Sequence, residues 1–185
     1  MIASRKELYE YIALETKNIE NRILLYLPFD LYEKQIILKF LILLRKTEYY
    51  HNKNYIFLKY FYLIRLKRKQ NRYGLHIPIN VFGKGLSIAH LGTIVVNGNC
   101  SIGENCRIHV GVVIGSNGKN YKGGVPVLGD NIYIAPGAKI FGNIKIANGC
   151  RIGANAVVNK NCNIENATLV GVPAKIITKD IEGNE

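Results

Sequence analysis

Of the four histidines in this 185-residue chain, His90 is the one whose setting invites chemistry. An imidazole titrates near neutral pH, so its neutral form can take a proton from an attacking hydroxyl. His90 closes the segment Val81-Phe-Gly-Lys-Gly-Leu-Ser-Ile-Ala-His90 and stands where a regular aliphatic pattern requires an aliphatic side chain. An ionisable residue that breaks a repeat marks a place to look for function. The competing reading is that the repeat starts later and leaves His90 in an irregular edge. His109 follows the aliphatic Ile108 by one residue and so belongs on the outer surface of a strand, either lining a reactive site or facing solvent. His51 and His76 are assigned ordinary structural roles.

The elements that must hold these imidazoles are set by that repeat. Aliphatic residues recur every six positions at Leu128, Ile134, Ile140, Ile146, Ile152, Val158, Ile164 and Val170. Small or apolar residues such as Ala138, Cys150, Ala156, Cys162 and Thr168 stand two positions ahead. An earlier block repeats the period at Val96, Ile102, Ile108 and Ile114 in a different frame. Neither a helix nor an ordinary strand has period six; a stack of short strands and turns coiled into a β-helix does. The step of 14 from Ile114 to Leu128 reads as two hexads plus two extra residues. The Gly-rich stretch at 115–126 is then a protruding loop.

Residues 1–73 read as helices. Ser4 and Glu7 have capping-box spacing ahead of a helix from Arg5 to about Asn18. Asp30, with Glu33 three residues on, is expected to cap an apolar helix over Leu31 to Leu44, and Asn54 a third from Tyr55 to about Lys69.

From about Gly74 to Lys175 the chain resembles the left-handed β-helix acyltransferases of the hexapeptide-repeat superfamily, most of all the serine O-acetyltransferase branch. The resemblance rests on the His90 segment, the loop Gly115 to Pro126, Ile134-Ala-Pro-Gly-Ala-Lys-Ile-Phe-Gly142 and Gly171-Val-Pro-Ala-Lys175. It implies a mainly β fold, a left-handed parallel β-helix over 74–185 with a short C-terminal tail, behind the α-helical region 1–73. It also implies a homotrimer with acetyl-CoA between neighbouring subunits. His90 becomes the general base and His109 a second catalytic candidate. Gly115 supplies backbone donors to the oxyanion, with Ala135, Gly153, Ala154, Pro173 and Lys175 along the acetyl-CoA.

The chain departs from that branch on the acceptor side. The carboxylate that orients the histidine aligns with Leu75, the acid just before it with Ala89, a nearby Glu with Gly98, and a second histidine with Val125. An imidazolium without a carboxylate is less stabilised, so some other group must orient His90. These losses favour a sugar hydroxyl in surface polysaccharide synthesis as acceptor, with L-serine as the alternative. A non-catalytic β-helix assembly module is the reading from another class.

The remaining signals narrow the classes. Cys100, Cys106, Cys150 and Cys162 all fall in the small inward position, lack CxxC spacing and read as core, with no metal site expected. Gly115 to Lys122 lacks the phosphate-loop pattern, which sets nucleotide hydrolysis aside. The net charge of +12 is concentrated between Arg45 and Arg72, where nine basic residues meet one acid among eight aromatics from Tyr49 to Tyr73. That composition fits first a helix whose aromatic face packs on the trimer and whose basic end is solvated, then a membrane surface carrying anionic lipids, and last nucleic acid. Ile36 to Leu44 is far short of the roughly 20 apolar residues of a span. Glu7, Glu10 and Glu15 fall where a secretory leader would be apolar, so the expected location is cytoplasmic, with the inner membrane face as an option.

Overall fold

The computed structural model describes residues 1–17, 19, 25, 29, 30, 32–118 and 124–177. Helix α1 (Arg5–Glu15) starts at the expected capping box, with Ser4 Oγ accepting from Glu7 N and the Glu7 carboxylate accepting from Ser4 N. Its far end stops at Thr16, whose hydroxyl donates to Ile12 O at 2.7 Å. Helix α2 (Glu33–Asn52) is not capped by Asp30, because that carboxylate pairs with Lys39 at 2.8 Å and Tyr32 occupies the N-cap. The expected start at Leu31 lies outside the described residues. Helix α3 (Ile56–Tyr73) has Tyr55 rather than Asn54 at its N-cap and closes at Gly74, whose φ of 70° an L side chain rarely adopts.

The remainder is a left-handed parallel β-helix with three sides. The first side stacks Leu75–His76, Ile94–Val96, Val113–Gly115, Lys139–Phe141 and Val157–Val158; the second stacks Ser101–Ile102, Val127–Leu128 and Lys145–Ile146. On the third side lie Ser87–Ile88, Arg107–Ile108, Tyr133–Ile134, Arg151–Ile152 and Thr168–Val170, with Lys175–Ile177 added antiparallel at the end. Ile88, Ile108, Ile134, Ile152 and Leu169 form one continuous inward row, each hydrogen-bonded to the next coil. Several coils turn through a left-handed corner just before an inward residue, at Gly85, Gly111, Gly137 and Gly149 and at four asparagines. The asparagines are Asn105, Asn131, Asn155 and Asn166, with φ between 55° and 58°, ahead of Cys106, Ile132, Ala156 and Ala167. The short amide side chain tolerates that left-handed turn better than most.

Four register readings change. His90 does not occupy an inward position: Ile88 pairs with Ile108, eight rather than six residues separate it from the inward Val96, and the two extra residues carry His90 outward. The step from Ile114 to Leu128 is one hexad plus eight looped-out residues, because Ile102 and Leu128 are neighbours on the second side; positions 119–123 of that loop lie outside the described residues. In the last coil Cys162, not Ile164, meets Ile146, which leaves Ile164 53% exposed. Leu169 then faces inward in place of Val170, with Ala167 two residues ahead of it in place of Thr168. All four cysteines are buried free thiols, but Cys162 takes an aliphatic slot rather than a small one.

The helices are seated on the open edge of the first coil. Arg45 is fully buried between Glu15 at 2.6 Å and Glu48 at 2.9 Å, and its guanidinium donates onward to Phe82 O and Gly83 O. Burial alone would lower its pKa, but Glu48 and Glu15 outweigh burial and keep it charged. The two carboxylates accept in turn from Leu86 N and Asn80 N, and Gln70 Nε2 donates to Ile77 O. Main-chain groups with no coil beyond them are thereby satisfied by helix side chains. Phe40, Leu41, Leu44 and Leu66 join the same hydrophobic core as Leu75, Ile77 and Phe82.

Candidate functional site

The seating of α2 brings its first residue to His90. Glu33 Oε2 lies 3.3 Å from His90 Nδ1, and Glu33 Oε1 accepts from Leu91 N at 2.7 Å. The Leu91 N–H first, and then His90, hold the Glu33 carboxyl below its ordinary value. A carboxylate on Nδ1 selects the tautomer with its proton there and leaves the Nε2 lone pair as the base. Glu33 thus gives His90 a carboxylate partner from a different element of the fold. The sequence had offered Glu33 only as a helix-capping residue, and nothing in its spacing linked it to a histidine 57 positions away.

His109 lies on the next coil, its ring centroid 6.4 Å from that of His90. Its ring meets Tyr133 edge-on at 5.2 Å, and its Nε2 is buried without a hydrogen-bond partner. Burial first, then the positive charges of Arg107 and His90, lowers its pKa. His109 is thus held neutral beside the exposed imidazole. Tyr133, which the sequence did not single out, forms the wall between His109 and Arg151, whose guanidinium lies 5.7 Å from the Tyr133 ring.

The third side then sets a row of small residues below the histidines. His109, Ala135 and Gly153 each follow an inward residue of that ladder, and each donates its N–H to the coil beneath, to Ile134 O, Ile152 O and Leu169 O. A Cβ on Gly153 would come within 2.8 Å of Val170 Cγ1, so the backbone approaches closely there. Ala154 is exposed at the following corner. Pro173 and Lys175 are exposed on the tail, where Lys175 pairs with Val170 at the end of the same side. Gly115 is not part of this row: it ends a first-side strand, at a different corner. Among the described residues no group of three or more His, Cys, Asp or Glu could hold a metal ion, and no helix is long and apolar enough to cross a membrane.

No family model matches the sequence. A serine acetyltransferase of Staphylococcus xylosus is 38% identical over 136 residues, which is 72% of this chain and 60% of that protein. One from Staphylococcus aureus strain N315 is 37% identical over 98 residues, 53% of this chain and 46% of its own length. Among solved structures, soybean serine acetyltransferase complexed with serine has a TM-score of 0.71 at 26% identity, over 93% of this chain and 70% of that one. A serine acetyltransferase in complex with CoA has a TM-score of 0.68 at 26% identity, over 94% and 71%. The chain is similar in sequence and fold to serine acetyltransferases, which are hexapeptide-repeat proteins. It spans about half the length of the first curated relatives it matches. Leu75, which the resemblance aligns with an orienting acid, is wholly buried in the core and can contribute only packing. Ala89 and Gly98 bring no polar side chain, and Val125 packs against the core.

Proposed function

We propose that this protein transfers the acetyl group of acetyl-CoA to the hydroxyl of L-serine, with His90 as general base. The observation that carries the reading is the Glu33 carboxylate on His90 Nδ1, which restores a base and orienting-acid pair where the aligned positions lack one. Bound acetyl-CoA would supply an activated thioester carbonyl. His90 Nε2 takes the hydroxyl proton as attack begins, and Glu33 offsets the charge that develops on the ring. His109, held neutral, keeps a second positive charge away from that imidazolium. The small residues Ala135 and Gly153 allow the arm of CoA to lie close against the coil, with exposed Ala154 and Pro173 beyond and the Lys175 ammonium available to a phosphate.

L-serine takes precedence over the sugar acceptor expected from the missing polar groups. Both curated relatives and solved neighbours are serine acetyltransferases, whereas the sugar reading rests only on side chains that are absent. The proposal includes a homotrimer. Within one chain Gly115 and His90 occupy different corners of the prism, so a site using both draws Gly115 from a neighbouring copy.

The test is CoA release from acetyl-CoA with L-serine, for the wild type and His90→Ala, alongside acetyl-CoA binding. Serine-dependent turnover that disappears in His90→Ala supports the reading. Binding without serine turnover returns the sugar acceptor, and no binding of acetyl-CoA returns the assembly module.

A further inference from the structure

A cavity of about 340 Å³ lies between α2 and α3, away from the imidazoles. Lys39 and Lys46 line it from α2, and Arg65 and Lys69 from α3, over a floor that includes Ile42 and Tyr62. Among the described residues one acid, Asp30, is on its wall, and its carboxylate pairs with Lys39 at 2.8 Å. Lys39, Lys69 and Arg72 together draw the Asp30 carboxyl below its ordinary value, so the positive field of this region reaches across the cavity. Helix α3 contains no acid at all and six basic residues. Arg65 and Lys69 are four apart on one helix face, a like-charge spacing that destabilises a helix unless something compensates it. The shape is concave, the cations converge from two elements, and their charge exceeds that of the one carboxylate.

We propose that this cavity binds a phosphate group, with Lys46, Arg65 and Lys69 as its counter-cations and Lys39 held in place by Asp30. Planar Arg65 suits paired contacts to phosphate oxygens, while the lysines act as point charges on flexible stems. The apolar floor suits a phosphate that carries an organic portion. Either a soluble phosphorylated molecule or the headgroup of an anionic lipid has this chemistry. The site does not depend on the proposed acetyl transfer.

The full-length protein is titrated with inorganic pyrophosphate by calorimetry at low salt, and separately with vesicles of phosphatidylcholine containing phosphatidylglycerol. Two double variants are compared: Lys46→Gln with Arg65→Gln in the cavity, and Lys67→Gln with Arg68→Gln, which removes the same charge outside it. Circular dichroism checks that both retain wild-type helix content. Pyrophosphate binding weakened at least tenfold by the cavity pair alone supports the site with a soluble phosphate. Vesicle binding lost in the cavity pair alone, without pyrophosphate binding, supports it with a lipid headgroup. Equal weakening in both variants shows diffuse surface charge and overturns the proposal, as does no binding of either probe.

Discussion

Glu33 Oε2 lies 3.3 Å from His90 Nδ1 although the two residues belong to different parts of the fold, a helix start and a β-helix corner. In the proposed reaction Glu33 acts as an orienting group that sets the tautomer and stabilises the imidazolium rather than touching substrate. Glu33→Gln is therefore expected to lower kcat by about 10 to 100-fold, the usual cost of losing such a partner. His90→Ala should cost about 10² to 10⁴-fold, as for loss of a general base. Because the Leu91 N–H and His90 hold the Glu33 carboxyl below the ordinary carboxylate range, it is ionised at neutral pH. An unchanged kcat in Glu33→Gln removes Glu33 from the mechanism.

His109 gives a stability prediction with a defined sign. Its folded-state pKa lies below its ordinary value of 6.5, so the unfolded chain takes up the proton first as pH falls. The contribution is fully present above pH 6.5 and declines as pH drops through that value toward the lower folded pKa. Tm measured between pH 7.5 and 5.5 should fall less steeply in His109→Phe than in the wild type. Identical slopes refute the assignment.

The seat of the helices rests on Arg45. Removing it leaves Glu15 and Glu48 buried without a counter-charge, and breaking such a buried pair costs about 3–5 kcal/mol. Urea unfolding of Arg45→Met should show that loss. Replacing Glu15, Arg45 and Glu48 together by apolar residues should recover most of it, because no charge is then stranded.

Two substitutions distinguish the observed register of the last coil from an unbroken six-residue period. Ile164→Lys, at an exposed position, should change stability by no more than about 0.5 kcal/mol. Leu169→Ala, in the core row, should cost about 2–5 kcal/mol. An unbroken period gives the reverse order.

Burial pushes the Cys106 thiol up to about 12 and those of Cys100 and Cys150 up to about 11. The thiolate is the reactive form. A disulfide reagent at pH 8 should leave the native protein unlabelled and label all four cysteines once it is denatured.

The architecture was readable because a stack of coils writes its geometry into a local period. What escaped were breaks in that period. Two extra residues after Ile88 push His90 outward, and two fewer before Cys162 turn Ile164 outward, yet both deviations leave the aliphatic spacing looking regular. The row through His109, Ala135 and Gly153 could be anticipated, since each follows an inward position. Glu33 could not, because its contact with His90 is created by the buried Arg45 cluster that fixes where α2 lies. Its sequence signal pointed to a helix cap instead, and Asp30 was drawn away from that role by Lys39.

The two ends of the stack are finished differently from its middle. At one end Arg45, Glu15, Glu48, Gln70 and Glu33 occupy main-chain groups of the first coil; at the other the strand Lys175–Ile177 runs antiparallel to its neighbour. A parallel stack has an inherent direction of growth, and a bare terminal coil is a template on which another chain can polymerise. Side chains at one end and a reversed strand at the other deny an incoming chain the pattern it would copy, so these features limit filament growth as well as holding the helices in place.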